Sequence, residues 1–413
     1  MQSLSPQGIL LGMVIALAVP AGACITPPGV VVQRNAAEAM TQQRPREFTH
    51  SPSEILKGAV LGWNLGNSLD AVGGESAWGN PPASLELIKS VAKAGFGLVR
   101  IPVTWTSHMG EGPDYVIEPE WLHRVAEVVD YARAAGIYAV INIHHDGADG
   151  NKASQWLALK DEAGNITDAN NTQVKTRFIA VWTQIAKHFA GYGEELLFES
   201  MNEVHDGYGP PNPRYFPIIN DLNQEFVKVV RAAGGNNGQR HLIVPGYNTH
   251  IDHTVAGFKL PTDTVPNRLM VAVHFYDPYL FSLMAKSHTW GQASPGRDDW
   301  GQEDFVVKQF DKLKTTYLDK GIPVFLGEYG AVSQDGFEDY RRYYMEYVTK
   351  AAVDRGILPV YWDNGAQGAG EDKFALFDRT SGEVTQPKLI EAMHRAATSP
   401  YRLVDIALPK PAK

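Results

Sequence analysis

Glu203 and Glu328 are the residues whose type and setting could do chemistry. Each closes a short apolar run, LLFESM ahead of Asn202-Glu203 and PVFLG ahead of Glu328. Asn64, Arg100, His144, His145, His274, Tyr276 and Trp362 also stand at the ends of apolar runs. Two carboxyl groups facing one cavity are the equipment for breaking a glycosidic bond: one is protonated to assist the leaving oxygen, the other ionised to attack the anomeric carbon. Arg100 beside Glu328 would hold that carboxylate charged, because a close cation lowers a carboxyl pKa. Desolvation of Glu203, with the charge of Glu328 nearby, would raise the other pKa and keep a proton on it. The Asn202 amide suits a sugar 2-hydroxyl, where hydrogen bonds strengthen in the transition state.

Each residue also has a plainer reading. Arg100 could pair with a structural carboxylate. His144 and His145 could be one core and one loop histidine. His144, His145, Asp146 and His274 could suggest a metal, but adjacent histidines alternate faces on a strand and do not readily meet at one ion. No metal and no cofactor is therefore expected. Polarity confined to one end of the apolar runs is what packing alone does not explain.

The elements that must hold these residues repeat. Eight apolar runs fall at 59–66, 98–103, 138–144, 196–201, 242–247, 269–276, 323–330 and 358–363. Amphipathic stretches alternate with them, as in a parallel sheet with crossover helices. Leu122, Val125, Val129 and Ala132 lie at helical spacing after Pro119, and Gly136 follows as a stop. A glycine then an apolar residue recurs before strands at Gly95-Phe96, Gly136-Ile137, Gly321-Ile322 and Gly356-Ile357, the mark of glycine as a helix C-cap. Eight such units predict an α/β fold, a (β/α)8 TIM barrel, whose functional side chains gather at the C-terminal strand ends. A doubly wound sheet in two domains is the runner-up.

The chain has 413 residues, 44% of them hydrophobic, and a net charge of -9. It carries no basic cluster, so a nucleic acid partner is not expected. One cysteine, Cys24, excludes an internal disulfide and a cysteine-based metal site. Residues 1–23 read as a secretory signal, with an apolar stretch and Ala21-Gly22-Ala23 as the small-residue site. The stretch falls short of the roughly 20 apolar residues of a membrane span. Cys24 follows directly, as in a lipoprotein signal, although Ala21 stands where leucine is usual and the first residues lack Lys and Arg. Simple secretion and a lipid tether to the outer surface or periplasm are both open. Residues 24–50 read as a flexible spacer, 51–400 as the catalytic domain and 401–413 as a tail. A monomer is the expected unit.

VRIPVTW, INIHHDG, FESMNEV, VHFYDP, GEYG and VYWDNG, in that order and spacing, resemble glycoside hydrolase family 5 of the retaining clan A enzymes. GWNLGNSLDA with RIPVTW and HHDG looks most like its bacterial endo-β-1,4-glucanase (cellulase) branch. The resemblance covers roughly residues 51–397. It implies Glu203 as acid/base, Glu328 as nucleophile and Arg100 as the residue orienting the nucleophile. His144, Asn202, His274 or Tyr276, and Trp362 would line the sugar site nearest the cut. His145 would be a further contact or a support.

Loop tryptophans extend the expectation to a polymer. Trp63, Trp78, Trp105, Trp156 and Trp290 fall in or near βα loops; Trp63 and Trp105 suit the core, whereas Trp156 and Trp290 suit sugar stacking. The expected function is endo-acting, retaining hydrolysis of a β-1,4-glucan. A mannanase, xyloglucanase or mixed-linkage glucanase would keep the same acids. A non-catalytic sugar-binding protein would use the aromatics but would not need Glu203, Glu328 and Arg100 together.

Overall fold

The computed structural model describes residues 47–147 and 155–410. Eight strands run parallel in sequence order: β1 (Gly62–Leu65), β2 (Leu98–Ile101), β3 (Tyr138–Ile141), β4 (Leu196–Glu199), β5 (Leu242–His250), β6 (Leu269–Phe275), β7 (Val324–Tyr329) and β8 (Leu358–Asp363). β8 returns to pair with β1, Gly62 against Val360 and Asn64 against Trp362, so the sheet closes. The (β/α)8 barrel is the observed fold, and this closing pair excludes the doubly wound alternative.

Alternation along each strand sorts the side chains. Leu98, Val140, Leu197, Ile243, Met270, Phe325 and Val360 fill the barrel interior; Ile55, Leu56 and Ala59 of the helix Pro52–Ala59 pack against them. The residues between them, such as Val99, Phe198 and Val271, face the outer helices. The inner phase continues upward: Leu98 leads to Arg100, Leu197 to Glu199, Gly62 to Asn64 and Val360 to Trp362. Gly62 has no room for a side chain, because a Cβ there would lie 2.7 Å from Val360. Gly95, Gly136, Gly321 and Gly356 all take positive φ, between +74° and +95°, as their reading as helix stops requires.

Glu328 needs a departure from alternation. Val273 pairs with Leu326 and His274 with Glu328, so Gly327 is an extra residue in β7. Leu326 and Tyr329 both face the helices. The bulge lets Glu328 turn inward between them. The Gly327 carbonyl accepts from Asn64 Nδ2 at 2.9 Å.

The predicted spacer ends earlier than residue 50. Phe48 is buried against His241, with ring centroids 5.7 Å apart. Glu194 accepts from the Thr49 and His50 amides at 2.8 and 3.0 Å. Residues 1–46, which include Cys24 and the signal-like stretch, lie outside the described residues. The predicted tail also docks: Ile406 is buried, and Arg342 Nη2 donates to the Ala407 carbonyl at 2.9 Å. Among the described residues no helix is long and apolar enough to cross a membrane.

Candidate active site

Arg100 organises the rim of the barrel. It is fully buried on β2 and donates in four directions. Nε reaches Glu199 Oε2 at 2.7 Å, and Nη1 reaches Glu328 Oε1 at 2.7 Å. Nη1 also reaches Asn64 Oδ1 at 3.0 Å, and Nη2 reaches Asn202 Oδ1 at 2.8 Å. Burial works against its charge, but Glu199 and Glu328 outweigh that and hold the guanidinium protonated. Because Arg only donates, Asn202 turns its carbonyl to Arg100 and keeps its NH2 for another partner.

Glu328 also accepts from the Tyr276 hydroxyl at 3.0 Å on Oε2. His144 Nε2 lies 3.9 Å from its Oε1. Glu203 sits opposite, bonded at Oε1 to His274 Nδ1 at 2.5 Å and reached by Thr249 Oγ1 at 3.4 Å. One oxygen from each glutamate and a His274 nitrogen all lie within 4.8 Å of one another. Retaining glycosidases hold their carboxyls about 5–5.5 Å apart, inverting ones about 6.5–9.5 Å. This spacing falls on the retaining side and suits direct attack by one of the acids.

Burial pushes Glu203 above the ordinary carboxyl range, against His205, Arg100 and His145. Burial also pushes Glu328 up, with His274 and Arg100 pulling it back and Glu203 adding to the rise. The sequence reading expected Arg100 to hold Glu328 low; desolvation outweighs it. Burial therefore does not rank the two acids; hydrogen bonding distinguishes them, since the Glu328 anion accepts from a guanidinium and a phenol and Glu203 has no cation bonded to it. Burial holds His274 down to about 4 and His144 well below its usual value, so both rings are neutral near pH 7.

Asn64 supports the site from below. Its Nδ2 is spent on the Gly327, Val360 and Tyr361 carbonyls, leaving no amide for a ligand. His274 and Tyr276, read as alternatives, both enter the site, one on each acid. Trp362 lies parallel to His144, 2° apart in plane with centroids 5.9 Å apart. His145 backs the half-exposed Trp78, centroids 5.1 Å apart. Trp156 is half-buried, bonded to Asp146 and covered on one face by Arg177, 4.8 Å from its ring centroid.

Trp290 is a correction. It is fully buried among Tyr343, Tyr344 and Tyr347, with its N–H on the Gly301 carbonyl at 2.8 Å. Burial on all sides leaves no face for a sugar. Trp63 and Trp105 are fully buried, as expected of core residues.

The metal reading also changes. His144 and His145 follow the end of β3, where strand alternation no longer applies, so their rings come within 4.5 Å. Asp70, His144 and His145 bring ligand atoms within 4.8 Å, as do Glu203, His274 and Glu328. Several ligand atoms in both groups are already engaged. Asp70 accepts from the Asn67 and Ser68 amides, His144 Nδ1 faces Asn142, and Glu328 already neutralises Arg100. Asp146 accepts from Trp105, Thr106 and Trp156 and is a loop anchor.

Glu199, Asn142 and Tyr208 were not singled out in the sequence. Glu199 stands two residues after the inward Leu197, so alternation alone points it at Arg100. Tyr208 is 84% exposed and rests on His205, centroids 4.6 Å apart. It sits between two glycines just past Glu203, a signal the chain did carry.

The family model described as "Cellulase (glycosyl hydrolase family 5)" matches residues 64–368. Endoglucanase A of Paenibacillus barcinonensis is 41% identical, over 83% of this chain and 89% of that protein. A solved GH5-4 broad specificity endoglucanase from Bacteroides salanitronis is 46% identical with a TM-score of 0.80, covering 87% of this chain and 99% of that one. A family 5 xyloglucanase from Paenibacillus pabuli is 40% identical with a TM-score of 0.78, covering 83% and 100%. Barrel, facing glutamates and sequence therefore agree: this chain belongs to glycosyl hydrolase family 5.

Proposed function

We propose that the chain is an endo-acting hydrolase of cellulose-type β-1,4-glucan that works with retention. The observation that carries this is the Glu203–Glu328 pair, with oxygens within 4.8 Å and unequal partners. Glu328 is the nucleophile. It attacks the anomeric carbon while Glu203 gives its proton to the departing glycosidic oxygen, and a glycosyl ester forms on Glu328. Water then enters, Glu203 takes a proton from it, and the hydroxide adds to the anomeric carbon as the ester bond breaks. Each step returns what the other took, so no further reactant is needed.

Arg100 and Tyr276 hold Glu328 in place as an anion. His274 orients Glu203 as a neutral ring. Asn202 offers its NH2 to the 2-hydroxyl of the sugar at the cut, beside the Trp362 face. Trp78 and Tyr208 give aromatic faces further along the rim, which suits a chain bound in its middle. The relatives named endoglucanase support the substrate class. A xyloglucan backbone is the second reading, supported by the resemblance to the Paenibacillus pabuli protein. Release of reducing ends from carboxymethylcellulose, lichenan, xyloglucan and mannan tests it. Cleavage of carboxymethylcellulose or lichenan ahead of mannan is expected; activity on mannan alone would overturn the reading.

The protein works outside the cytoplasm as a monomer, its leader removed ahead of Cys24 or its Cys24 lipidated. Phe48 to Ser51 enter the barrel beside Glu194, Arg240 and His241, which precede β4 and β5, opposite the acids. Detergent partitioning that disappears in Cys24→Ser would support lipidation; an unchanged aqueous product would favour simple secretion. Removing residues 1–46 is expected to leave stability and activity intact. Phe48→Ala is expected to cost about 3 kcal/mol of stability, read by thermal melting.

A further inference from the structure

We propose that Glu199 is a positioning residue that sets how much of the Arg100 charge reaches Glu328. The proposal rests on the reading of Glu328 as nucleophile. Glu199 and Arg100 are both fully buried, so neither is screened by solvent. Arg100 spends Nε on Glu199 and Nη1 on Glu328, each at 2.7 Å. One cation is thus shared by two carboxylates. Glu199 cannot touch a sugar, because it is closed off from the cleft. Its reach is indirect. Oε2 also accepts from Asn142 Nδ2 at 2.9 Å, and the same Nδ2 lies 3.1 Å from His144 Nδ1. Glu199 Oε1 takes no hydrogen bond among the described residues, so Oε2 carries both of its contacts.

Charge balance gives the consequence. With Glu199 present, an ionised Glu328 belongs to a cluster of one positive and two negative charges. With a neutral side chain there, Arg100 is opposed only by Glu328 and attracts it more strongly. A more tightly held carboxylate is a weaker nucleophile and a weaker base. Glu199 therefore keeps the nucleophile reactive, while Arg100 keeps it ionised and aimed.

The other groups facing Glu328 stay constant in this comparison. They are Glu203 across the cleft, His274 Nδ1 at 3.6 Å, His144 Nε2 at 3.9 Å and the Tyr276 hydroxyl at 3.0 Å. Burial keeps both imidazoles neutral near pH 7 and the phenol protonated.

The test is the pH profile of kcat/KM for the full-length protein on a soluble aryl cello-oligosaccharide. Its acidic limb reports ionisation of the nucleophile in the free enzyme. Glu199→Gln is expected to move that limb down by about 1 pH unit and to lower kcat roughly tenfold. Glu199→Asp keeps the charge on a shorter side chain; its limb should stay at the wild-type position even if kcat falls. A purely structural role for Glu199 would lower the melting temperature and kcat in both variants and leave both limbs unmoved, and that result overturns the proposal. If Glu199→Gln does not fold, Asn142→Ala reads the balance from the other side. It removes a competing donor, puts more of the Glu199 charge on Arg100 and should move the limb up; an unmoved or lowered limb there also overturns the proposal. Failure of the functional reading is separate, since it appears as a wild-type protein without activity on any glucan.

Discussion

The two acids at the rim have opposite surroundings. The Glu328 side chain is 7% exposed and held by a cation and a phenol; the Glu203 side chain is 27% exposed and held by a neutral imidazole. A nucleophile needs a fixed position and a charge, which Arg100 and Tyr276 supply. An acid that must also become a base needs access to water and no permanent cation against it. Burial raises both carboxyls, so burial does not separate their roles. What separates them is which partner each has when ionised.

The sharpest way to break this comparison is to remove the nucleophile. Glu328→Ala is expected to lower turnover on every substrate by about 10^5-fold or more, because no glycosyl ester can form. A residual rate near wild type would remove Glu328 from the mechanism. Glu203→Ala comes next, with a loss of about 10^2–10^4-fold on polysaccharide. Aryl glycosides with activated leaving groups should keep a fast first step, seen as a burst of phenol, because they need little acid assistance.

Gly327→Ala tests the geometry linking the two acids. A Cβ there would lie 3.1 Å from His274 Nε2 and 3.2 Å from Phe325. Pushing His274 displaces its hold on Glu203, and a loss of about tenfold to 100-fold in kcat is expected with a near-wild-type melting temperature. An unchanged kcat would mean that His274 does not set the position of Glu203. The smallest effect is expected from Tyr276→Phe. It removes a donor to the Glu328 anion, so the Glu328 pKa rises. Activity that needs ionised Glu328 is then lost at higher pH as pH falls. The acidic limb of kcat/KM should move up by about 1 pH unit, opposite to Glu199→Gln.

Much of the site was legible because inner and outer phases alternate along buried strands. Arg100, Asn64 and Trp362 fall in phase with Leu98, Gly62 and Val360, and the eight apolar runs gave the barrel directly. The paired ladders are shorter than those runs. His144, Asn202 and Glu203 lie beyond the last pairs of β3 and β4, where alternation gives no direction. That is why His144 and His145 meet despite being neighbours. Glu328 would point at the helices if β7 alternated regularly, and nothing in GEYG announces the bulge that turns it. Trp290 looked like a loop platform because its contacts, Tyr343, Tyr344 and Tyr347, come from a helix some fifty residues later. Phe48 was read as spacer for the same reason, since His241 and Arg240 are distant in sequence. Composition reports loops and periodicity reports faces, but neither reports a partner from another element.

The roles of the two acids are tested most directly by the anomer formed when azide rescues each alanine variant. With Glu328→Ala, azide takes the place of the missing nucleophile and attacks the bound sugar once, so an α-glycosyl azide is expected. With Glu203→Ala, azide attacks the ester already formed on Glu328, so a β-glycosyl azide is expected. Proton NMR of the products distinguishes the two. The same anomer from both variants, or the two anomers exchanged, would contradict the assignment of Glu328 as nucleophile and Glu203 as acid/base.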